Sequence, residues 1–336
     1  MKRPWLRPLV PLYAAGAALR WAGVTPRRLA SPVISVGNLS TGGTGKTPFT
    51  IALARLLLDE GMHVDVLSRG YGRRGTAAQR VDPAGSAERF GDEPLLIARA
   101  TGVPVYVGAQ RWQAGELAER EAGAKTGVHL LDDGFQHRQL ARAIDIVLVN
   151  SDDLADSLLP AGNLREGLQA LRRASVLAVA DGDDSALKRL EKMGLGTRQS
   201  QPVWRYRREM VVPQIPESIR SQPMVAFCGI ARPEQFFAGL AGFNVVASRA
   251  FPDHHFFSPA DMAMLRKLAQ STGAGALLTT AKDFVRLGEW GTTPVASTPD
   301  LATPIFAVDL EVVFEDGAGI ATWLGDALGG PAKASV

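Results

Sequence analysis

Ile34-Ser35-Val36-Gly37-Asn38-Leu39-Ser40-Thr41-Gly42-Gly43-Thr44-Gly45-Lys46-Thr47 is the stretch that decides how this chain folds. A short apolar run ends in a glycine-rich loop, and the loop runs directly into Gly-Lys-Thr at a helix start. Gly42, Gly43 and Gly45 permit backbone angles closed to other residues and let the chain approach phosphate oxygens closely. Lys46 puts a cation where β- and γ-phosphates lie, and the Thr47 hydroxyl is placed to ligate magnesium. The helix expected from Pro48 to about Glu60 carries Ile51, Leu53, Ala54, Leu57 and Leu58 as its apolar residues. Its N-terminus aims the positive end of the helix dipole at the same anions. The usual pattern has a glycine five residues before Gly45, where this chain has Ser40. A Gly-Lys-Thr triplet alone is common by chance, and a plain connecting loop is the competing reading. The flanking strand and helix decide for nucleotide binding.

Outward from that loop the chain keeps alternating. Apolar runs at 33–36, 64–67, 103–107, 128–131, 144–149 and 176–180 read as short buried strands, with helical stretches such as 94–100 and 111–122 between them. This βα alternation predicts a mainly parallel sheet covered on both faces. In such sheets ligands sit at the carboxyl ends of the strands, where the glycine loop and Asp132-Asp133 both fall.

Near residue 200 the pattern changes. Residues 203–211 alternate like an exposed strand, and Pro213 and Pro216 follow. A second α/β series then begins, with strands at 224–228, 244–250, 276–280 and 304–310 and helices at 233–240, 259–270 and 319–327. The edge-like strands around 203–212 and 304–313 are expected to pair as a hinge. The fold class is therefore α/β: a P-loop nucleotide-binding parallel sheet domain, a second, smaller α/β domain and an N-terminal membrane-associated helix. The expected divisions are 1–30 for that helix, 31–202 for the P-loop core and 203–213 with 304–313 for linker strands. Residues 214–303 make the smaller domain and 314–336 a terminal helix and tail, frayed from Gly329.

Composition bounds the rest. The 336 residues suit two domains, and a hydrophobic fraction of 46% supports a substantial core. The net charge is only +3, but Lys2, Arg3, Arg7, Arg20, Arg27 and Arg28 crowd the N-terminus, and Arg69, Arg73 and Arg74 form a second cluster. Such clusters suit anionic lipid, phosphate or nucleic acid. Cys228 is the single cysteine, which excludes an intrachain disulfide and a four-cysteine zinc site. Between Trp5 and Val24 the chain is apolar, with arginines at both ends. Its longest uncharged run, Pro8 to Leu19, is too short and too interrupted by proline to span a bilayer. Arg20 and Trp21 stand where a signal peptide would need small residues. An amphipathic helix at a membrane surface fits better.

Several clusters carry candidate chemistry. Val128-His129-Leu130-Leu131-Asp132-Asp133-Gly134-Phe135-Gln136-His137 ends a strand in paired carboxylates, the position at which P-loop proteins hold magnesium. Phe90-Gly91-Asp92-Glu93-Pro94 sets two acids before a helix, with Asp92 as its expected N-cap. Phosphoryl transfer to an alcohol needs a positioned base, and the residues leave the choice open between Asp92 and Asp133. In Phe251-Pro252-Asp253-His254-His255-Phe256-Phe257, a histidine that orients a catalytic carboxylate is a better reading than a zinc site, given the absence of nearby cysteines. Ser68-Arg69-Gly70-Tyr71-Gly72-Arg73-Arg74 and Arg165-Glu166 can clamp phosphates. Thr280-Ala281-Lys282-Asp283 is close to a guanine-reading motif, but its Lys and Asp are adjacent rather than separated by one residue, which disfavours GTP.

Together the glycine loop, Ser68-Arg69-Gly70-Tyr71-Gly72, Gly91-Asp92-Glu93-Pro94, Leu131-Asp132-Asp133-Gly134-Phe135-Gln136-His137, Leu164-Arg165-Glu166 and Phe251-Pro252-Asp253-His254-His255 resemble the tetraacyldisaccharide 4′-kinase family of lipid A biosynthesis. Order and spacing match from residue 33 to about 285, and Ser40 agrees with that family's own glycine loop. The resemblance implies ATP-dependent phosphorylation of the 4′-hydroxyl of a tetraacylated disaccharide 1-phosphate. The work is then done by a peripheral enzyme on the cytoplasmic face of the bacterial inner membrane, against an anionic membrane surface. It implies ATP contacts from Gly42, Gly43, Thr44, Gly45, Lys46, Thr47 and Gln136, and Mg2+ at Thr47 with Asp132 or Asp133. Asp92 helped by His254 becomes the preferred base, with Lys46 and Asp133 also in the catalytic set. Arg165 and Glu166 line the cleft, and Arg69, Arg73 or Arg74 meet the substrate's 1-phosphate. Nucleic acid drops out, and no obligate protein partner is called for. A nucleotide-hydrolysing switch protein and a kinase of a soluble metabolite are the competing functions.

Overall fold

The computed structural model describes residues 3–21, 23–43, 45–123, 127–197, 201–212, 215–288 and 303–329. Thr44, Pro213 and the tail from residue 330 lie outside them. Among the described residues twelve strands form one sheet: β1 (Val33–Asn38), β2 (Val64–Ser68), β3 (Gln79–Arg80), β4 (Val105–Val107), β5 (Val128–Asp132), β6 (Ile144–Val149), β7 (Val176–Ala180), β8 (Val203–Val211), β9 (Met224–Cys228), β10 (Val245–Ala250), β11 (Ala276–Thr280) and β12 (Ile305–Phe314). Their spatial order is β10-β9-β11-β12-β8-β7-β6-β1-β5-β2-β4-β3. The β-branched runs make near-continuous buried strands, as a sheet covered on both faces requires.

All neighbouring pairs are parallel except β3 with β4 and β12 with β8. The β8–β12 pair is the one anticipated from the alternation at 203–212 and 304–313, and it runs antiparallel from Asp309↔Val211 to Phe314↔Tyr206. β12 changes partner along its length: Ile305 to Val308 pair with β11, and Asp309 to Phe314 pair with β8. The strands beyond β12 therefore sit past the carboxyl end of β8 and point back toward it. Two sets of strand carboxyl ends face each other, and the loops that follow them meet in one cleft.

Four sequence expectations need adjustment. The helix after the glycine loop starts at Lys46 and ends at Asp59. Asp92 is the first residue of its helix rather than the cap, which is Gly91. Of the three loop glycines, Gly42 (φ 124°) and Gly45 (φ 84°) take the left-handed angles, and Gly43 does not. The helices Asp184–Lys192 and Ala281–Arg286 were not anticipated.

The N-terminus forms a 3-10 turn, Pro4–Leu9, and a helix, Val10–Trp21. Trp5, Leu12 and Leu19 are each 74% exposed, and Leu12 and Leu19, seven apart, share one stripe of the helix. The segment is tied to the body by Arg3 N–H donating to the Ala161 carbonyl (2.7 Å) and the Tyr13 hydroxyl donating to the Arg165 carbonyl (3.1 Å). Among the described residues no helix is long and apolar enough to cross a membrane.

Candidate active site

The site begins at β1. Its last residue, Asn38, accepts from Lys46 Nζ at 3.1 Å through Oδ1, so the strand end fixes the lysine of the loop that follows it. Gly45 caps the Lys46 helix and, having no side chain, makes no capping bond to its first N–H groups, the kind of helix start that suits an anion. Thr47 is half-buried in the first turn.

β5 lies beside β1 with Asp132 opposite Val36, which brings both carboxylates of its end to the same edge. Asp133 stands at φ 50°, unusual for a residue with a Cβ. Lys46 Nζ is 3.6 Å from Asp133, and Arg165 Nη1 donates to both its oxygens at 3.1 and 3.2 Å. Burial raises the Asp133 carboxyl, but Lys46 and Arg165 outweigh it and hold the group below its ordinary value. Arg165 also donates to Gln136 Oε1, whose amide donates in turn to the Asn38 carbonyl at 2.8 Å. Lys46, Asp133, Gln136 and Arg165 thus form one network around Asn38.

Asp132 is buried. Burial first, and then the charges of Glu93 and Asp133, push its carboxyl up to about 7 despite Lys46 and the Thr50 hydroxyl at 3.3 Å. The charges of Glu93 and Asp133 acting on this buried carboxyl concentrate negative charge at the end of β5. Among the described residues no group of three metal-ligating side chains closes on one position. Magnesium suits that arrangement, because it is usually held by one or two carboxylates together with phosphates and water. The residues present fit it.

The opposite wall comes from the facing strands. His254 Nδ1 lies 3.0 Å from Asp92 Oδ2, although 162 residues separate them. Asp92 also receives Arg286 Nε at 2.8 Å, and Lys282 Nζ is 3.8 Å away. Burial raises the Asp92 carboxyl, but the His254 hydrogen bond and the charges of Lys282 and Arg286 outweigh it and hold it well below the usual range. The two histidines diverge: His255 turns to Asp261 Oδ2 at 3.1 Å and stacks on Phe251. The loop after β9 approaches the glycine loop, with the Ala231 methyl 3.9 Å from where a Cβ on Gly43 would stand.

Some expected residues point elsewhere. Glu166 is held by Arg138 (2.6 Å) and Arg173 (2.9 Å). Arg74 pairs with Glu88, and Arg73 donates to the Ala77 carbonyl at 2.8 Å. Arg69 is exposed but near enough to Arg111 to depress it: burial and then Arg69 push the Arg111 guanidinium down to about 10, against the pull of Asp133 and Asp132. Asn38, Glu93, Arg111, Lys282 and Arg286 were given no role from sequence. Asn38, Glu93 and Lys282 stood inside quoted motifs, whereas Arg111 and Arg286 had no local signal. A separate cavity of about 250 Å³ under the amino ends of the strands is lined by His63, Asp65, Arg80 and Tyr106 and contains none of this chemistry.

With this geometry in view, the family profile described as Tetraacyldisaccharide-1-P 4′-kinase matches residues 2–328. The chain belongs to the tetraacyldisaccharide 4′-kinase family. A relative of that name from Koribacter versatilis is 42% identical over 325 residues, covering 93% of this chain and 95% of the relative. Another from Nitrobacter winogradskyi is 39% identical over 334 residues, covering 96% and 93%. Among solved structures, LpxK from Aquifex aeolicus in complex with ATP superposes with a TM-score of 0.74 at 32% identity, covering 96% of this chain and 98% of that one.

Proposed function

We propose that this tetraacyldisaccharide 4′-kinase moves the γ-phosphoryl group of ATP onto the 4′-hydroxyl of a tetraacylated glucosamine disaccharide 1-phosphate, at the cytoplasmic face of the inner membrane. The observation that carries the acceptor side is the 3.0 Å contact between Asp92 and His254 across the cleft from Lys46. Lys46 and the first N–H groups of its helix hold the β- and γ-phosphates. Thr47 and Asp132, with Asp133, are the residues that would hold magnesium, which when bound neutralises phosphate charge.

Asp92 is the better base of the two candidates. Both oxygens of Asp133 are occupied by Arg165, whereas among the described residues Asp92 Oδ1 accepts only the Glu93 N–H, at 2.9 Å. The new bond joins the sugar O4′ to the γ-phosphorus, the bond from that phosphorus to the β–γ bridging oxygen breaks, and the hydroxyl proton passes to Asp92. A carboxyl held below its ordinary value suffices, because in a loose transition state the proton leaves late and positioning does most of the work. Arg165 and Arg111 supply positive charge beside the paired aspartates, and we assign the exposed Arg69 to the substrate's 1-phosphate.

The test is transfer of label from γ-labelled ATP to the disaccharide 1-phosphate in detergent. Label in an organic-extractable product is expected. Folded, ATP-binding protein that transfers none, or transfers only to water-soluble acceptors, refutes the lipid-kinase reading.

A further inference from the structure

The short helix Ala281–Arg286 follows β11 and reaches across the cleft, and the chemistry above leaves its two cations unused. We infer that Lys282 and Arg286 are positioning residues that assemble the acceptor-activating pair: Lys282 fixes the tautomer of His254, and Arg286 fixes the separation of His254 from Asp92. This rests on the reading of Asp92 and His254 as the pair that receives the sugar hydroxyl.

The tautomer follows from donor and acceptor bookkeeping. Lys282 Nζ donates to Glu93 Oε1 at 2.9 Å and stands 3.4 Å from His254 Nε2. An ammonium has three donors and no acceptor, so Nε2 must present its lone pair. Nδ1 then carries the hydrogen and donates it to Asp92 Oδ2 at 3.0 Å. The other acid near the ring, Asp253, is 4.0 Å from Nε2, too far to hold a hydrogen there. The Tyr71 ring, with its centroid 5.2 Å from that of the imidazole, offers no competing acceptor of comparable strength. The imidazole is thereby neutral and aimed, with its single N–H committed to the base.

Arg286 sets the distance. Its side chain is 1% exposed, and its Nε and Nη2 both lie 2.8 Å from Asp92 Oδ2. Its Nη1 donates at 2.8 Å to the Gly229 carbonyl, which also accepts the His254 backbone N–H at 3.1 Å. One guanidinium therefore holds the carboxylate from one wall and the carbonyl that anchors the histidine from the other. Asp283, wholly buried, steadies it through Oδ1 at 2.8 Å while accepting the Gly229 N–H through Oδ2 at 3.0 Å. That anchoring holds His254 at φ 59°, where a residue with a Cβ does not rest unaided. Arginine is needed for this because only a planar fork serves both acceptors at fixed angles.

The experiment uses full-length protein with ¹⁵N-labelled histidine, five residues in all, with His254 assigned by its loss in H254A. Wild type should show Nδ1 protonated and Nε2 bare. In K282M the ring should lose that single tautomer, and kcat should fall at least about tenfold with ATP affinity unchanged. K282R, which keeps a donor toward Nε2, should restore the tautomer and part of kcat. R286K, chosen because removal of a buried charge risks misfolding, should lower kcat while leaving ATP affinity intact. An unchanged tautomer in K282M overturns the inference whatever the activity. A changed tautomer with wild-type kcat in K282M overturns it too, provided D92N and H254A are inactive. If D92N and H254A keep normal turnover, the reading of the pair itself has failed, and the positioning role falls with it.

Discussion

Gly37→Ala tests whether the site is built by close backbone packing rather than by its charged residues alone. Gly37 lies inside β1, opposite Val147 of β6, and its backbone angles are open to any residue. A Cβ there would stand 2.5 Å from Phe135 Cβ and 2.9 Å from Phe135 N. Carbon atoms rest at about 3.5–4.0 Å, so the turn after β5 has to retreat by about 1 Å. That turn carries Asp133, 3.6 Å from Lys46, and Gln136, whose amide is 2.8 Å from the Asn38 carbonyl. Overpacking of this kind costs about 1–3 kcal/mol of stability. A misplacement of about 1 Å in a positioned catalytic group costs on the order of a hundredfold in rate. Urea unfolding and steady-state transfer from γ-labelled ATP measure the two effects separately. ATP affinity should change far less, because the loop and the Lys46–Asn38 bond lie on the strand side of the clash. Wild-type stability and kcat in the variant would refute the packing argument. Lost stability with normal kcat would show that the turn does not position the chemistry.

Lys46→Ala should lower kcat by about a hundredfold or more, as expected when a preorganised charge on the transferring phosphoryl group is lost; near-normal turnover would remove Lys46 from the mechanism. His129 gives a pH dependence. Burial lowers its pKa, but the Asp65 carboxylate at 2.6 Å and then Glu119 outweigh this and raise it above 6.5. Its stabilisation is therefore fully present below pH 6.5 and is lost as pH rises through the folded-state value. His129→Gln should be less stable by about 3–5 kcal/mol, because Asp65 is left buried without its charged partner. It should also lack the wild-type loss of urea midpoint as pH rises above 6.5, and a parallel pH profile would contradict the assignment. Trp5→Ser, Leu12→Ser and Leu19→Ser together should reduce sedimentation with anionic vesicles at least tenfold, since each buried leucine is worth about 1.5–3 kcal/mol. Unchanged sedimentation would remove the N-terminal helix as the membrane contact.

Much of this was legible because it is local. The glycine loop, the strand ending in Asp132-Asp133 and the period of each buried strand are all written in contiguous residues. β6, β7, β8, β9 and β11 begin and end where the apolar runs do. The cap at Asp92 was misread because Asp and Gly both start helices well, and only the backbone shows that Gly91 takes the cap at φ 90°. Glu166 and Arg74 looked available because sequence shows a charge and hides its partner. Arg138 and Arg173 reach Glu166 from nearby positions, and no spacing rule orders such loop contacts. Arg286 was invisible for the opposite reason: its partners Asp92 and Gly229 are 194 and 57 residues away, so its role exists only after the sheet has formed.

The antiparallel pairing of β12 with β8 explains why a site made from such distant residues assembles at all. Had β12 stayed on β11 along its whole length, the second set of strands would have extended the first sideways, and its loops would have opened away from the glycine loop. Exchanging partners between Val308 and Asp309 turns that set end-on. The loops after β9, β10 and β11 then meet those after β1, β2 and β5. The contacts made there are mainly charged, Asp92 with Arg286 and Glu93 with Lys282, and the His254 ring adds a hydrogen bond to Asp92. Buried ion pairs add little net stability, because desolvation offsets most of their attraction, yet losing one partner is costly. They therefore act less as glue than as a condition on geometry: the contact of Asp92 with His254 is complete only when Ala281–Arg286 is seated against the Asp92 helix. On the proposed reading, a kinase that must not spend ATP on water gains from that dependence, because the pair that would receive the hydroxyl proton is complete only with that helix in place.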